Sequence, residues 1–221
     1  MPVSDKQLRI ETFNDPIYQE NGMVISFGAG RPCWLIDPGL PPEGEEMLAY
    51  LADEKLSPQA ILLTHAHADH MAGVNEVRAV HTEVPLYLAG EEWHMLESPM
   101  DNLSGHFGFG LTVKTDHLCD LSCGLQLELD GTTWIALDVS GHSPGGRAIY
   151  CAELGVAFVG DAVFAGSVGR TDFPHSDHER FIENLRTNIM TLPDETRLIP
   201  GHGPETTVGA ERADNPFLQG L

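Results

Sequence analysis

The sequence predicts an α/β protein (α+β in its layout) built on two sheets rather than on one doubly wound sheet. Three observations carry that expectation. Strand-like and helix-like patterns interleave along the chain, strand patterns outnumber helical ones, and several apolar strand runs end on a glycine followed by histidine or aspartate.

The elements follow in order. Leu8–Phe13, Met23–Phe27 and Cys33–Ile36 read as strands, with Asn21-Gly22 as a turn between the first two and Asp37-Pro38-Gly39 closing the third. A helix is expected over Glu43–Leu51, where Glu43, Glu45 and Glu46 crowd the positive helix end. Ala60–Thr64 is a short apolar run, the pattern of a strand buried on both faces. Helices are expected near His70–Val80 and Gly90–Leu96, then an irregular stretch over Ser98–Gly110. Leu125–Leu129 and Thr132–Val139, joined by Asp130-Gly131, form a hairpin signal. Ala148–Cys151 and Val156–Val159 are the next strands. Ser176-Asp177-His178-Glu179 has capping-box form and opens a helix with the apolar stripe Phe181, Leu185, Ile189 and Leu192. Arg197–Ile199 is the last predicted strand and runs into Pro200-Gly201-His202-Gly203.

At 221 residues the chain fits one domain, 1–221. Its net charge of −21 comes from 33 acidic against 12 basic residues, three of them lysines (Lys6, Lys55, Lys114). Such a surface repels a phosphate backbone and argues against a nucleic-acid substrate. No run of 18 apolar residues is present, so no membrane span is expected. The start, MPVSDKQLRIETF, lacks the basic and apolar regions of a secretory leader. With Cys33, Cys119, Cys123 and Cys151 read as free thiols, these features point to the cytoplasm.

Chemistry concentrates in Thr64-His65-Ala66-His67-Ala68-Asp69-His70, where three imidazoles and a carboxylate follow directly on a buried strand. These are the usual donors for zinc, iron and manganese. His65 and His67, leaving a strand end, can converge on one cation, while Asp69 and His70, opening a helix, can face a second. His142, Asp161 and His202 each follow an apolar strand run and a glycine. Any one of them alone reads as a surface histidine or a turn aspartate, but together they read as one centre for two divalent cations. Two such cations about 3.5–4 Å apart lower the pKa of water towards roughly 7 and supply hydroxide without a Ser or Cys nucleophile. His81, His94, His117, His175 and His178 lack this context, and the last two read as solvated. His106, in the irregular stretch, is a candidate to line a lid over the site.

At these residues the sequence resembles the metallo-β-lactamase superfamily, whose hallmark H-x-H-x-D-H is followed by Gly-His, Gly-Asp and a final Gly-His. The resemblance runs from Asp37-Pro38-Gly39 to Asn215-Pro216-Phe217. It implies an αββα four-layer sandwich, two mixed sheets between helices. By the family pattern His65, His67 and His142 hold the first metal and Asp69, His70 and His202 the second, with Asp161 bridging. It also makes Asp69 the catalytic residue that orients the nucleophile and carries its proton.

Gly169-Arg170-Thr171-Asp172-Phe173-Pro174 and Pro200-Gly201-His202-Gly203-Pro204 are similar to the short, single-domain members of the glyoxalase II group. That likeness implies hydrolysis of a small-molecule thioester carried on glutathione, with zinc as the leading cofactor and iron or manganese as alternatives. Only 19 residues follow His202 (221 − 202), so the helical domain that completes the glutathione site of longer members is not expected. Arg170 is a candidate substrate contact, although pairing with Asp172 or another loop carboxylate suits it slightly better. The rivals are a mononuclear iron persulfide dioxygenase using His65, His142 and Asp161, a lactonase, and a nuclease that the charge disfavours.

Overall fold

The computed structural model describes residues 7–219. The leading residues 1–6, part of the stretch that argued against a leader and including Lys6, lie outside the described residues. The chain begins with β1 (Arg9–Asn14), β2 (Asn21–Ser26) and β3 (Pro32–Ile36), then α1 (Glu43–Asp53), β4 (Ser57–Leu62), α2 (Ala68–Met71), α3 (Val74–Val80) and β5 (Leu86–Leu88). A 3₁₀ helix, Gly90–Glu97, leads through an irregular stretch to β6 (Leu118–Asp120). The second half holds β7 (Gln126–Leu129), β8 (Thr132–Asp138), β9 (Arg147–Cys151) and β10 (Val156–Gly160). There follow the small hairpin β11 (Val163–Phe164) and β12 (Ser167–Val168), then α4 (His178–Asn184), a π-helical turn (Leu185–Ile189), β13 (Arg197–Pro200), β14 (Thr206–Thr207) and α5 (Val208–Asp214).

Two six-stranded mixed sheets result, ordered β1-β2-β3-β4-β5-β6 and β14-β13-β10-β9-β8-β7. In the first, β3 to β6 run parallel; in the second, β10 and β13 are the parallel pair. Because strand side chains alternate faces, each central strand feeds two cores. Met23, Ile25, Trp34, Ile36, Ala60 and Leu62 meet Ile149, Cys151, Val156 and Phe158 between the sheets. Their neighbours Val24, Cys33, Leu35 and Ile61 face outward and pack with Met47 and Leu51 of α1 and Val74 and Val77 of α3. On the far side Ala148, Tyr150, Ala157 and Val159 pack with Phe181, Leu185 and Ile189 and with Val208 of α5. Those three cores make the four layers, helix, sheet, sheet, helix.

The structure departs from the sequence reading at definite places. Asn21-Gly22 is not a turn: both residues lie in β2, and Asn21 Nδ2 donates to the carbonyls of Pro200 and Gly203 (2.9 Å each), joining the first sheet to the second. The single helix expected over His70–Val80 is two short ones, because the Gly73 N–H donates to Pro38 O (2.8 Å) where the chain passes the loop after β3. Ser176 does not cap α4. Asp177 does, accepting from the Arg180 N–H (3.1 Å), while the Ser176 hydroxyl donates to the His142 carbonyl (2.7 Å). Asp130-Gly131 turns the predicted hairpin with both residues at positive φ (50° and 79°), the signature of a type I′ turn.

Candidate metal centre

Four separate segments meet where strands of both sheets end. His65 and His67 leave β4, and Asp69 and His70 sit on α2. His142 follows β8, Asp161 follows β10, and His202 follows β13. Since β10 and β13 run parallel, their ends coincide, and the Gly201 N–H donates to Gly160 O (2.9 Å) between them.

Two glycines make this convergence possible for different reasons. Gly160 adopts φ +49°, and a Cβ there would lie 2.4 Å from Thr64 Oγ1. Gly201 has no unusual φ; it gives room, since a Cβ would come within 2.5 Å of His70 Cε1 and 2.7 Å of Asp161 Oδ1.

All seven residues singled out in the sequence are brought together. His65 Nε2 and His142 Nε2 lie 3.0 and 3.1 Å from His67 Nδ1, and Asp161 Oδ2 lies 3.5 Å from His142 Nε2. On the other side Asp161 Oδ1 stands 3.3 Å from His70 Nε2 and 3.6 Å from His202 Nε2, and Asp69 Oδ2 lies 3.5 Å from His202 Nε2. Two donor groups, His65/His67/His142 and Asp69/His70/His202, thus flank one carboxylate that faces both.

The outer ring nitrogens decide what the inner ones can do. His142 Nδ1 donates to the Arg170 carbonyl (2.7 Å) and His202 Nδ1 to the Tyr18 carbonyl (3.1 Å). His65 Nδ1 donates to Thr64 Oγ1 (3.1 Å), whose own proton goes to Asp37 Oδ2 (2.6 Å). His70 Nδ1 donates to Asp37 Oδ2 (3.1 Å), with Glu20 Oε1 at 3.4 Å. In the neutral ring each arrangement leaves the Nε2 lone pair bare and aimed at the centre, which is how protein scaffolds prepare imidazoles for a metal.

A cation fits this arrangement. His70 Nε2 and Asp161 Oδ1 are buried without a hydrogen-bond partner, and the lone pairs of three imidazoles face one another with too few protons to satisfy them. The electrostatics agree. Burial, then His142, pushes the His67 imidazole down to about 3, and burial together with His70 holds His65 well below its ordinary value. Burial would also lower His70, yet Asp161, Asp69 and Glu20 overcome it and hold its pKa well above the ordinary value. Burial alone would raise Asp161; His70, then His142 and His65, bring it well below the carboxylate range. The carboxylates therefore create a field that favours positive charge in this spot.

Beside the centre opens a cavity of about 510 Å³, lined by apolar groups including Leu103, Phe107, Phe109, Phe164, Val168 and Phe173, with Asp69, Asp161 and His202 at its polar end. Arg170 reaches this lining but its fork is engaged by Asp172 (2.6 Å twice), and it lies over the Phe173 ring at 4.5 Å. His106 does not line the cavity. It is exposed, and Phe107 and Phe109 of the same stretch take that place.

Sequence reasoning missed the supporting carboxylates. Asp37 is fully buried and binds Thr64 and His70. Glu92, also fully buried, accepts from Ala66 N (2.5 Å) and Gly145 N (2.7 Å) and so ties the His65–His67 loop to the loop after His142. The Asp37-Pro38-Gly39 turn was visible as a turn; the signal available for Glu92 was a lone acidic residue in an amphipathic segment, which marks nothing by itself.

Two mixed sheets between helices, with clustered imidazole and carboxylate donors at the strand ends, define the metal-dependent hydrolase class of αββα protein. The chain belongs to the metallo-β-lactamase superfamily, whose family model matches residues 17–202. It is 32% identical over 212 residues to the hydroxyacylglutathione hydrolase GloC of Haemophilus influenzae, covering 96% of this chain and 98% of that one. The crystal structure of BLEG-1 B3 metallo-β-lactamase superposes with a TM-score of 0.87 at 35% identity over 96% of this chain and all of that one. TTHA1623 in a di-iron-bound form superposes at 0.82 and 36% identity, covering 94% and 100%. Among the described residues no helix is long and apolar enough to cross a membrane.

Proposed function

We propose that the chain, acting as one unit, is a binuclear thioester hydrolase that takes a small acyl-thioester, with a glutathione-type thiol as the carrier to test first. The observation that carries this reading is the set of bare imidazole nitrogens and carboxylate oxygens, drawn from four segments, that face one another beside an open apolar cavity. The likeness to GloC over nearly the whole chain supports the thioester.

His65, His67 and His142 would hold one cation and Asp69, His70 and His202 the other, with Asp161 shared. The donors are nitrogen and oxygen without sulfur, which suits zinc and equally accommodates iron or manganese. When bound, the pair of cations supplies activated water and polarises the acyl carbonyl.

The protein's own groups do the rest. Asp69 stands at the polar end of the cavity, partly exposed, with Oδ2 turned to His202, where its carboxylate can hold the nucleophile's proton and pass it on. The apolar walls around Phe107, Phe109, Phe164 and Phe173 keep bulk water from the acyl chain and orient it. The leaving thiolate has a conjugate pKa near 8.5, so it departs with little acid assistance. Among the described residues Arg170 is the one Lys or Arg in the lining, and its exposed position lets it meet a carboxylate of the thiol carrier.

The likeness to BLEG-1 favours a second reading, hydrolysis of a cyclic amide in the same site. A panel of acyl-glutathiones, other acyl-thioesters, lactones, β-lactams and glutathione persulfide, assayed on metal-reconstituted protein, separates the readings. Thioester cleavage with the highest kcat/KM is expected. Preference for a β-lactam or lactone, or oxygen uptake with the persulfide, would overturn it.

A further inference from the structure

A second group of metal-type donors lies outside the centre just described. His94 projects from the 3₁₀ helix, Asp101 from the turn that follows it, and His175 from the loop that leads into α4. One ligand atom from each lies within 4.8 Å of the others. His175 Nε2 is 3.1 Å from Asp101 Oδ1, and the two imidazole rings stand edge to face with centroids 6.1 Å apart. Asp101 is held below the ordinary carboxylate range, first by the Ser98 hydroxyl and then by His175, so it is ionised at neutral pH. His175 takes up φ +68°, in the left-handed region that a non-glycine residue rarely adopts, in placing its ring beside Asp101.

The location gives this trio its interest. None of the three residues lines the cavity, yet their sequence neighbours do: Leu103 and Phe107 follow Asp101, and Phe173 precedes His175. Asn102, next to Asp101, accepts the Ala68 N–H (2.9 Å) and so connects this stretch to the loop of His67 and Asp69. A cation held by His94, Asp101 and His175 would therefore fasten one wall of the cavity mouth to the other. Two imidazoles and a carboxylate, with solvent free to complete the shell, suit zinc, copper or nickel far better than magnesium or calcium.

We propose that His94, Asp101 and His175 form a third, exchangeable transition-metal site that pins the 98–110 stretch to the 169–176 loop across the cavity mouth. Zinc is the probe. Protein carrying its tightly bound metals is titrated with Zn²⁺ by calorimetry, and hydrogen exchange is followed over both stretches. The expected result is one additional, weaker equivalent and slower exchange in both stretches, with no such response to Mg²⁺. His94→Gln, Asp101→Asn and His175→Gln should each abolish the additional equivalent while leaving the tightly bound metal content unchanged. Because the readout is a difference between wild type and variants, it holds whatever the primary centre carries. Absence of the extra equivalent in wild type, or its persistence in the triple variant, overturns the site; binding without any change in exchange overturns the pinning.

Discussion

The two donor groups of the centre differ in the way their surroundings treat charge. His65, His67 and His142 are 2%, 4% and 5% exposed, and burial with mutual repulsion holds His65 and His67 neutral. The opposite group mixes a fully buried His70 with side chains of Asp69 and His202 that are 23% and 25% exposed, and its carboxylates raise both imidazoles despite the burial that opposes them. One half is the more deeply buried, with His65 and His67 held neutral; the other is the more exposed and carries a carboxylate of its own, and the cavity touches both. The first group is three imidazoles and the second two imidazoles with Asp69, so the difference lies in the donor set as well as in its surroundings; on the proposed function it gives the tighter grip to the first half and the proton handling to the second.

The largest effect is expected where the halves meet. Asp161→Ala should remove both metals and take turnover to background, as read by elemental analysis and thioester assay. Two tightly bound metals in that variant would end the contrast altogether. Next come single deletions on each side. His202→Ala should keep one tightly held metal, whereas His67→Ala should weaken the grip on the ion that the protein otherwise loses last to a chelator. Equal behaviour of the two variants in a chelator titration would show that the halves are not distinct. A smaller change is expected from Asp37→Asn, which alters the partner of His70 Nδ1 and should cost roughly 10–100-fold in metal affinity.

The mildest prediction concerns the buried carboxylates behind the second half. Burial pushes Glu43 up to about 7 from an ordinary 4.5, although Gly39 N–H donates to it (2.8 Å). A carboxyl with a raised folded pKa contributes its full stability below the unfolded pKa and loses it as pH climbs through the folded one. Glu43→Gln should therefore raise the melting temperature of metal-free protein above pH 7 and lose that advantage near pH 4.5. An advantage that is the same at both pH values would contradict the shifted carboxyl.

How far the sequence revealed this molecule depended on whether a feature was local. The seven central donors were legible because four are packed into 65–70 and the others each follow an apolar run and a glycine. The strands of the two inner faces were legible from β-branched and apolar runs such as Val156–Val159. The short strands β5 and β6 were missed because their pairing, Leu86 with Leu118 and Tyr87 with Cys119, is supplied by the rest of the parallel sheet rather than by their own pattern. Asn21 was misread because turn chemistry and a long-range clasp to Pro200 use the same amide side chain. Glu92 was invisible because its role is defined by two backbone N–H groups, one 26 and the other 53 residues away. His106 was chosen for its chemistry, while the cavity takes its phenylalanine neighbours for their bulk.

Anomalous diffraction from crystals of metal-loaded protein, recorded at the absorption edge of the metal found in solution, tests the centre most directly. Two peaks are expected about 3.5–4 Å apart, one among His65, His67 and His142, the other among Asp69, His70 and His202, with Asp161 reaching both. A single peak, or a pair that leaves Asp161 without a metal, would contradict the account.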